Sequence, residues 1–346
     1  MNSIWEKETV LPQYESLKQD LTVDVAVIGG GMAGILTAYL LQKQGVNVVV
    51  LEAKTIGSGQ TGKTTAKITS QHNLIYHKLV SSLGTEQAKL YADANQEAIG
   101  MYRNLAKRCT DAVAFEEKEN ILYAVQNADA IEKEVKAMQQ LGLKADLITQ
   151  TELPFPVAAA VSLEGQAQFQ PLAFLKEISS DLTIFEHTMV QNIEDQIVKT
   201  KQGNITAKHI VIATHYPFIN IPGYYFLRQH QERSYVLALK GAQQYRGMYL
   251  GVDEPSYSFR NAGEYLLFGG APHRTGENRC GGHYDTLRKA AHQFYPNAQE
   301  VAYWSAQDCM TIDHIPYIGP YAFGMDGHGI SKMGYDIVYG FGYNSQ

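Results

Sequence analysis

The sequence predicts an α/β fold, α+β overall, in which a domain with a parallel sheet is interleaved with a domain built on antiparallel strands. Three observations predict it. A strand–helix–strand unit with closely spaced glycines occupies residues 24–52. A continuous apolar strand at 210–214 has the composition of a buried parallel strand. Residues 235–269 contain short alternating strands, which is typical of an antiparallel meander.

The strongest local signal is a glycine motif between two apolar strands. Gly29, Gly31 and Gly34 follow the strand that ends at Ile28, and Glu52 ends the next apolar run. Gly29 allows a tight turn, Gly31 lets a pyrophosphate approach the backbone, and Gly34 lets the helix pack on the sheet. The helix N-terminus favours an anion, and Glu52 stands where an acceptor for ribose hydroxyls is needed. The pattern predicts a bound dinucleotide.

The remaining elements follow from spacing and composition. Apolar periodicity predicts helices over about 84–108, 130–141 and 284–294, and Pro171 opens a short helix to Ser179. Residues 113–125 read as a strand pair broken at 116–120. Further strands are predicted at 182–185, 188–193, 196–200, 204–206, 235–239, 248–252, 256–260, 265–269 and 302–306. Residues 1–20 read as an arm packed on the first strand.

Composition describes an ordinary globular protein. The 346 residues are 45% hydrophobic and 18% charged, which suits two domains. A net charge of -6 without a Lys/Arg cluster argues against a nucleic-acid partner. The apolar run 23–41 contains four glycines and lacks a basic leader, so it reads neither as a signal peptide nor as a membrane span. We expect a cytoplasmic protein without a membrane partner.

The cysteines indicate neither a disulfide framework nor a metal site. Cys109, Cys280 and Cys309 are too few for such a framework and fit a reducing compartment. Cys280 and His283 have the C-x-x-H spacing of half a metal site, but no second pair completes it. We therefore predict no metal.

A second phosphate-binding motif competes with the first. Residues 57–64 satisfy G-x-x-x-x-G-K-[ST], in which Lys63 would meet terminal phosphates and Thr64 a magnesium ion. In a P-loop the strand leads directly into the loop, whereas residues 52–56 intervene here, and the strand 210–214 ends without a magnesium-binding Asp. Hydroxyls, a lysine and bare amides also suit a loop that wraps a pyrophosphate. A P-loop nucleotide hydrolase stays an alternative.

Several segments, taken in order, carry a resemblance to a known family. They are the glycine motif with Glu52, the hydroxyl-rich loop 57–69, Val190, the strand 210–214 and the segment 311–319. This order resembles the D-amino-acid-oxidase-type flavoproteins, which include glycine oxidase, sarcosine oxidase and γ-glutamylputrescine oxidase. A bacterial branch often joined to a C-terminal Rieske domain is more narrowly similar, on residues 3–5, 61–67, 71–72, 213–217 and 304–308. The match covers about residues 1–320.

The resemblance implies a Rossmann-like FAD-binding domain interleaved with an antiparallel-sheet substrate domain, with FAD bound non-covalently and Cys309 an inert thiol. With the strand pattern, it assigns 1–80, 160–220 and 305–346 to the FAD-binding domain and 81–159 and 221–304 to the substrate-binding domain. The cofactor-binding residues that we expect are Gly29, Gly31, Gly34, Glu52, Gly62, Lys63, Thr64, Thr65, Val190, Ala213, Thr214, Asp313 and Gly319.

The resemblance also implies a reaction, the oxidation of a C–N bond of an amine or amino acid by hydride transfer to flavin. Lys67, His72 and Asp308 are the candidate catalytic residues; the alternatives are a surface lysine for Lys67 and a hydrogen-bonded structural histidine for His72. Asp308 stands where amino-acid oxidases of the group carry an Arg that holds the substrate carboxylate. The reversed charge favours an amine or polyamine-like substrate, whereas the structural alternative is a turn cap or a pair with Arg260.

The C-terminal segment departs from the family pattern. Residues 321–346 contain six glycines and no helical periodicity, where the family continues into a long helix. An altered end would weaken FAD binding, so a catalytically impaired remnant or binding protein of the same fold is the second hypothesis. Because no Rieske domain follows residue 346, we expect oxygen or a partner protein as the electron acceptor.

Overall fold

Two β-sheets and seven α-helices form the part of the chain that the computed structural model describes, residues 2–194, 196–219, 224–277, 281–320 and 337–340. The strands are β1 (Leu21–Ile28), β2 (Val48–Leu51), β3 (Lys67–Ile68), β4 (Glu116–Ala124), β5 (Ala145–Ile148), β6 (Ala159–Gln168), β7 (Thr183–Phe185), β8 (Val190–Glu194), β9 (Ile197–Thr200), β10 (Asn204–Ile212), β11 (Gln229–Lys240), β12 (Met248–Gly251), β13 (Ser258–Ala262), β14 (Tyr265–Arg274), β15 (Gln299–Thr311), β16 (Ile318–Pro320) and β17 (Ile337–Gly340). The helices are α1 (Ile4–Glu8), α2 (Met32–Lys43), α3 (Tyr76–Leu83), α4 (Thr85–Ala106), α5 (Ala128–Gln140), α6 (Pro171–Ser179) and α7 (His283–Phe294).

The first sheet is mainly parallel and has the strand order β16–β17–β10–β1–β2–β7, with β9 also paired to β10 and β8 to β9. β1 lies between β2 and β10 and is parallel to both, so that Ile28 pairs with Leu51 and with Ile212. The carboxyl ends of these strands therefore meet at one edge of the sheet. The N-terminus of α2 lies at that same edge, where open α/β sheets bind their ligands.

The second sheet has the order β15–β11–β14–β13–β12–β4–β6–β3, with β5 paired to β6. Its pairs are antiparallel except for β12 and β4. Val236 and Trp304 are register partners on β11 and β15, and both join the hydrophobic cluster that contains the β1–α2–β2 core. This face of the second sheet consequently packs against the first domain.

The sequence predicted two breaks in strands that the structure does not have, and strand pairing explains both differences. Residues 116–124 are one strand, not two, because β4 pairs with β6 from Glu116 to Ala124 despite its charged first half. Strands 204–206 and 210–214 were predicted separately, but β10 runs without a break because β1 pairs with it along its length. Long-range pairing overrides the local composition in each case.

Sheet membership suggests different domain boundaries. Residues 159–168 form β6 and residues 305–311 belong to β15, so both lie in the second sheet although the sequence assigned nearly all of them to the FAD-binding domain. The domain division stays a prediction, and we propose moving these two stretches to the substrate-binding domain.

The chain ends take different positions. The predicted N-terminal arm contains α1, and Leu17 joins the hydrophobic cluster of β1. Near the other end, β17 pairs in parallel with β10 and antiparallel with β16. The remainder of the predicted altered C-terminal segment, 321–336 and 341–346, lies outside the described residues.

Candidate functional site

A cavity of about 470 Å³ opens where β1, β2 and β10 end. The predicted cofactor residues that line it are Gly29, Gly31, Glu52, Val190, Ala213 and Thr214. The structure thus brings together residues that lie up to 185 positions apart in the sequence, because Gly29 and Thr214 follow neighbouring parallel strands.

Backbone contacts at the glycines explain how this edge is built. Gly29 has φ +113°, and a Cβ there would lie 2.4 Å from the carbonyl oxygen of Ala213. A Cβ on Gly34 would lie 1.9 Å from the carbonyl oxygen of Gly29. Side chains at either position would separate β1, β10 and α2. The close approach brings the start of α2 to the cavity, where its N-cap, Gly31, has no side chain to cap the helix.

Glu52 stands at the cavity wall directly after β2. Its Oε2 accepts a hydrogen bond of 2.7 Å from the N–H of Gly30, and its Oε1 accepts one of 2.8 Å from the N–H of Lys54. Two backbone donors therefore hold this carboxylate in place. A carboxylate so placed can also accept hydrogen bonds from ribose hydroxyls.

A second cavity, of about 220 Å³, adjoins the first, because Met32 and Thr61 line both. Among the predicted site residues, Thr64, Lys67 and His72 line it. Asp308 lines neither cavity, so the structure brings together only two of the three candidate catalytic side chains. Together, the two adjoining cavities are a recess beside the end of β2 and the start of α2.

Burial lowers the pKa of both bases in the second cavity. Lys67 Nζ donates to the carbonyl oxygen of Tyr249 at 2.9 Å and to Ser258 Oγ at 3.0 Å. Burial and the nearby positive charge of Arg260 lower the pKa of Lys67 to about 7. Burial lowers the pKa of His72 to about 4, although a hydrogen bond with Asn95 acts in the opposite direction. At neutral pH these shifts favour the uncharged form of His72 and let Lys67 lose its proton far more readily than an exposed lysine does.

Lys67→Met is expected to change how stability depends on pH. The pKa of Lys67 is about 7 in the folded protein and 10.5 ordinarily. Between these values the unfolded chain binds more protons, so Lys67 makes the wild type more stable as the pH rises. Methionine is uncharged and contributes no such slope. Urea denaturation between about pH 7 and pH 10 should show the free energy of unfolding of the wild type rising relative to that of the variant. A constant difference between the two proteins would contradict the assignment.

The loop that carries the P-loop motif has the wrong structure for that function. Residues 60–62 form a single 3-10 turn, and β3 follows where a P-loop requires a helix. Lys63 Nζ lies 2.5 Å from Glu6 Oε2 and is thereby held by α1. The P-loop alternative is therefore wrong. Gly62, Lys63 and Thr65 also line neither cavity, which leaves their predicted cofactor contacts as a proposal.

Asp308 faces a second acid and not an arginine. It is 6% exposed and is the register partner of Glu232 on the neighbouring strand β11. Burial and the charge of Glu232 raise the pKa of Asp308 to about 8. The suggested pair with Arg260 is absent, because that guanidinium donates to the carbonyl oxygen of Phe169 at 2.8 Å, to Gln168 Oε1 and to the carbonyl oxygen of residue 65.

Two other predicted cofactor-binding residues lie elsewhere, and Cys309 is buried as an inert thiol. Asp313 is exposed, and its Oδ1 accepts from the N–H of Ile315 at 3.1 Å. Gly319 pairs with Tyr339 on β17, and neither residue lines a cavity described above. Cys309 Sγ donates to Gln229 Oε1 at 2.9 Å, and burial and the neighbouring Asp308 raise its pKa to about 12, so it is a protonated thiol.

No group of three or more potential metal-binding side chains occurs among the described residues, a set that does not include Cys280. In the same part of the chain, no helix combines the length and apolar character needed to cross a membrane.

The donors around the recess fit FAD, and two contributing residues were missed by sequence reasoning. His215 lines the first cavity, and its buried Nε2 has no hydrogen-bond partner among the described residues. Thr61 Oγ1 accepts from the N–H of Met32 at 2.9 Å and so links the loop to the start of α2. Thr65 Oγ1 is a second buried polar atom without a partner in the described residues. A helix start whose N-cap is a glycine, a fixed carboxylate and unpartnered polar atoms suit the phosphates and hydroxyls of a dinucleotide.

Comparison with known proteins identifies relatives that are similar in sequence. The chain is 36% identical over 334 residues to YhfW of Bacillus subtilis (strain 168), whose name describes it as a Rieske 2Fe-2S iron-sulfur protein; the match covers 91% of this chain and 65% of that protein. It is 25% identical over 228 residues to gamma-glutamylputrescine oxidoreductase of Escherichia coli (strain K12), covering 58% of this chain and 50% of the relative. The chain thus spans half to two thirds of the length of these relatives.

Solved structures show the same fold. The glycine oxidase from Geobacillus kaustophilus superposes with a TM-score of 0.68 at 19% identity, covering 94% of this chain and 90% of the other. The L-proline dehydrogenase from P. horikoshii superposes with a TM-score of 0.69 at 16% identity, covering 94% and 89%. The family DAO, described as FAD dependent oxidoreductase, matches residues 24–345. With its dinucleotide recess, two-sheet architecture and this match across nearly its whole length, the chain belongs to the DAO family of FAD-dependent oxidoreductases.

Proposed function

We propose that this protein oxidises a C–N bond of an amine, with FAD as the hydride acceptor and oxygen or an acceptor protein as the final oxidant. The observation that carries the proposal is the pair of adjoining cavities. The first has the helix start and carboxylate that suit a dinucleotide, and the second contains two bases whose pKa values burial has lowered.

Specific residues would hold each part of the cofactor. The start of α2 at Gly31 would bind the pyrophosphate, Glu52 the ribose hydroxyls and Val190 the adenine end. The second cavity would take the ring system beside Lys67. When bound, FAD supplies the hydride-accepting chemistry that no side chain provides.

The side chains of the second cavity control charge and protons. Because the pKa of Lys67 is about 7, its ammonium can lose or gain a proton near neutral pH. His72 is neutral at that pH and adds no positive charge. Of these two bases, Lys67 is therefore the one that can carry a positive charge beside the flavin ring and lose it as the pH changes.

Asp308 and Glu232 support an amine substrate over a simple amino acid. Two acids that share one face of β11 and β15 would repel a substrate carboxylate and attract an ammonium group. The relative gamma-glutamylputrescine oxidoreductase is named for a compound that contains an amine. We therefore place the substrate among amines or polyamine-like compounds.

Above about pH 8, where Asp308 is ionised, Asp308→Asn is expected to raise KM for a cationic amine about tenfold, at the low end of what loss of a charge-assisted interaction costs. The KM of the wild type should fall as the pH rises through about 8, the pKa of this acid, and the variant should lose that dependence. Steady-state kinetics across pH tests both effects. Asp129→Asn, which changes an exposed acid on α5, is the matched control. Equal KM values for the wild type and Asp308→Asn above pH 8 would refute this substrate assignment.

The function itself is tested on purified protein supplied with FAD. Binding is followed by quenching of flavin fluorescence, and reduction by loss of the visible flavin absorption when amines or amino acids are added without oxygen. Reduction by an amine supports the proposal. Bound FAD that dithionite reduces but no amine or amino acid reduces would instead support the impaired-remnant hypothesis.

A further inference from the structure

The backbone of residues 63–65 is held by three side chains from distant parts of the chain. Trp304 Nε1 donates to the carbonyl oxygen of residue 63 at 2.7 Å, and Trp5 Nε1 donates to the carbonyl oxygen of residue 64 at 2.8 Å. The guanidinium of Arg260 donates to the carbonyl oxygen of residue 65. The two tryptophans are the only ones in the sequence. Three consecutive carbonyls thus each accept a side-chain hydrogen bond, from α1, β13 and β15.

These three donors are buried, and two of them contact each other. Trp5, Arg260 and Trp304 are at most 2% exposed, and the Arg260 guanidinium lies 5.0 Å from the centre of a Trp5 ring. Burial lowers the pKa of Arg260 to about 9, which leaves it a cation at neutral pH. Because buried donors are costly to leave unpaired, the group strongly favours this one loop conformation.

The held carbonyls also determine where the intervening amides point. In a trans peptide the N–H points away from the preceding carbonyl. The N–H of Thr64 donates to Gln60 O at 2.9 Å, and that of Ala66 donates to Thr64 Oγ1 at 3.0 Å. Between them, the N–H of Thr65 has no partner in the described part of the chain, and Thr65 Oγ1 is buried and also unpartnered there. Thr65 itself lines neither cavity, but its two unused donors lie between Thr64 and Ala66, and those two neighbours line the second cavity.

We propose that Trp5, Trp304 and Arg260 are positioning residues that hold residues 63–65 so that the two donors of Thr65 meet the ring half of the cofactor. The inference rests on the proposed function, since it requires FAD in the recess. The acceptors on a flavin ring gain electron density on reduction, so donors fixed in advance stabilise the reduced form. A loop that reorganised on binding would lose part of that stabilisation.

Trp5→Phe and Trp304→Phe test the proposal, because each removes one indole N–H and keeps an aromatic ring. Each variant should bind FAD about three- to tenfold more weakly, the range for one neutral hydrogen bond. Each should also shift the visible absorption of the bound flavin and lower its reduction potential. A role limited to folding would not change the spectrum or the potential of flavin that is already bound.

The matched control is Tyr123→Phe. It removes an aromatic donor to a backbone carbonyl, the 2.9 Å bond from Tyr123 Oη to Tyr257, in the second domain away from the loop. It should lower the melting temperature and leave FAD affinity and spectrum unchanged. Wild-type affinity, spectrum and potential in both tryptophan variants would overturn the inference while the proposed function stands. A wild type that binds no FAD would overturn both. Should Trp304→Phe not fold, Trp5→Phe gives the same test at the neighbouring carbonyl.

Discussion

Gly34→Ala should abolish FAD binding and destabilise the folded protein, whereas Gly100→Ala should do neither. Both glycines lie in α-helices, α2 and α4. A methyl group on Gly34 would lie 1.9 Å from the carbonyl oxygen of Gly29, so α2 has to move away from β1. Overpacking of this kind costs about 1–3 kcal/mol or more. The shift also displaces the helix start from the cavity, so we expect at least a hundredfold loss of FAD affinity.

Gly100 makes the control informative because a Cβ added there would meet no atom within 4 Å beyond its own stretch of helix. Alanine in an open helical position should stabilise the protein by about 0.5–1 kcal/mol, since it loses less backbone entropy on folding. Denaturant unfolding and FAD titration measure both quantities. Equal effects of the two substitutions would show that the contact between α2 and β1 is not what places the cofactor.

Glu52→Gln should weaken FAD binding by about ten- to a hundredfold, because the hydrogen bonds lost are charge-assisted and worth about 1.5–3 kcal/mol. Its carboxylate is held by two backbone N–H groups at the cavity wall, so it is already placed to accept ribose hydroxyls. Isothermal titration of the apoprotein with FAD measures the effect. Titration with AMP should show a similar loss, because the ribose belongs to the adenosine half.

Glu186→Gln separates the binding role from a structural one. Glu186 is buried and, like Glu52, accepts hydrogen bonds from two backbone N–H groups, those of Tyr14 and Ile56. It lines neither cavity. Its substitution should lower stability without changing FAD affinity. If both variants lose stability and neither loses affinity, Glu52 is only a structural acceptor.

Local patterns were sufficient wherever one segment makes its own structure. The helix 171–179 was predicted to the residue, because Pro171 suits the first helical turn and an apolar face follows it. The strand–glycine–helix–strand unit likewise depends on contacts within 30 residues. In contrast, residues 57–64 match a P-loop letter by letter and still form another structure, because β3 pairs with β6 and Lys63 binds Glu6.

In the candidate site, too, some features can be recognised in the local sequence and others depend on contacts between distant segments. Glu52 and the glycines are recognisable because a dinucleotide-binding unit requires these residue types at fixed positions along the chain. The opposition of Asp308 and Glu232 depends on the register of β11 against β15, which sequence spacing does not reveal. His215 follows a strand end and could have been found from that position alone. The hydrogen bonds that Trp5, Trp304 and Arg260 donate to one loop could not have been found from the sequence.

By itself, the sequence determined that a dinucleotide fold stands near the N-terminus, because three glycines and an acid are required within one strand–helix–strand unit. It also determined the family, through the order of several such motifs. Only the tertiary structure decided that the two cavities adjoin, that Lys67 has a lowered pKa, and that Asp308 faces an acid. Those properties arise from burial and from pairing between segments far apart in the chain, and no local pattern of residues specifies either.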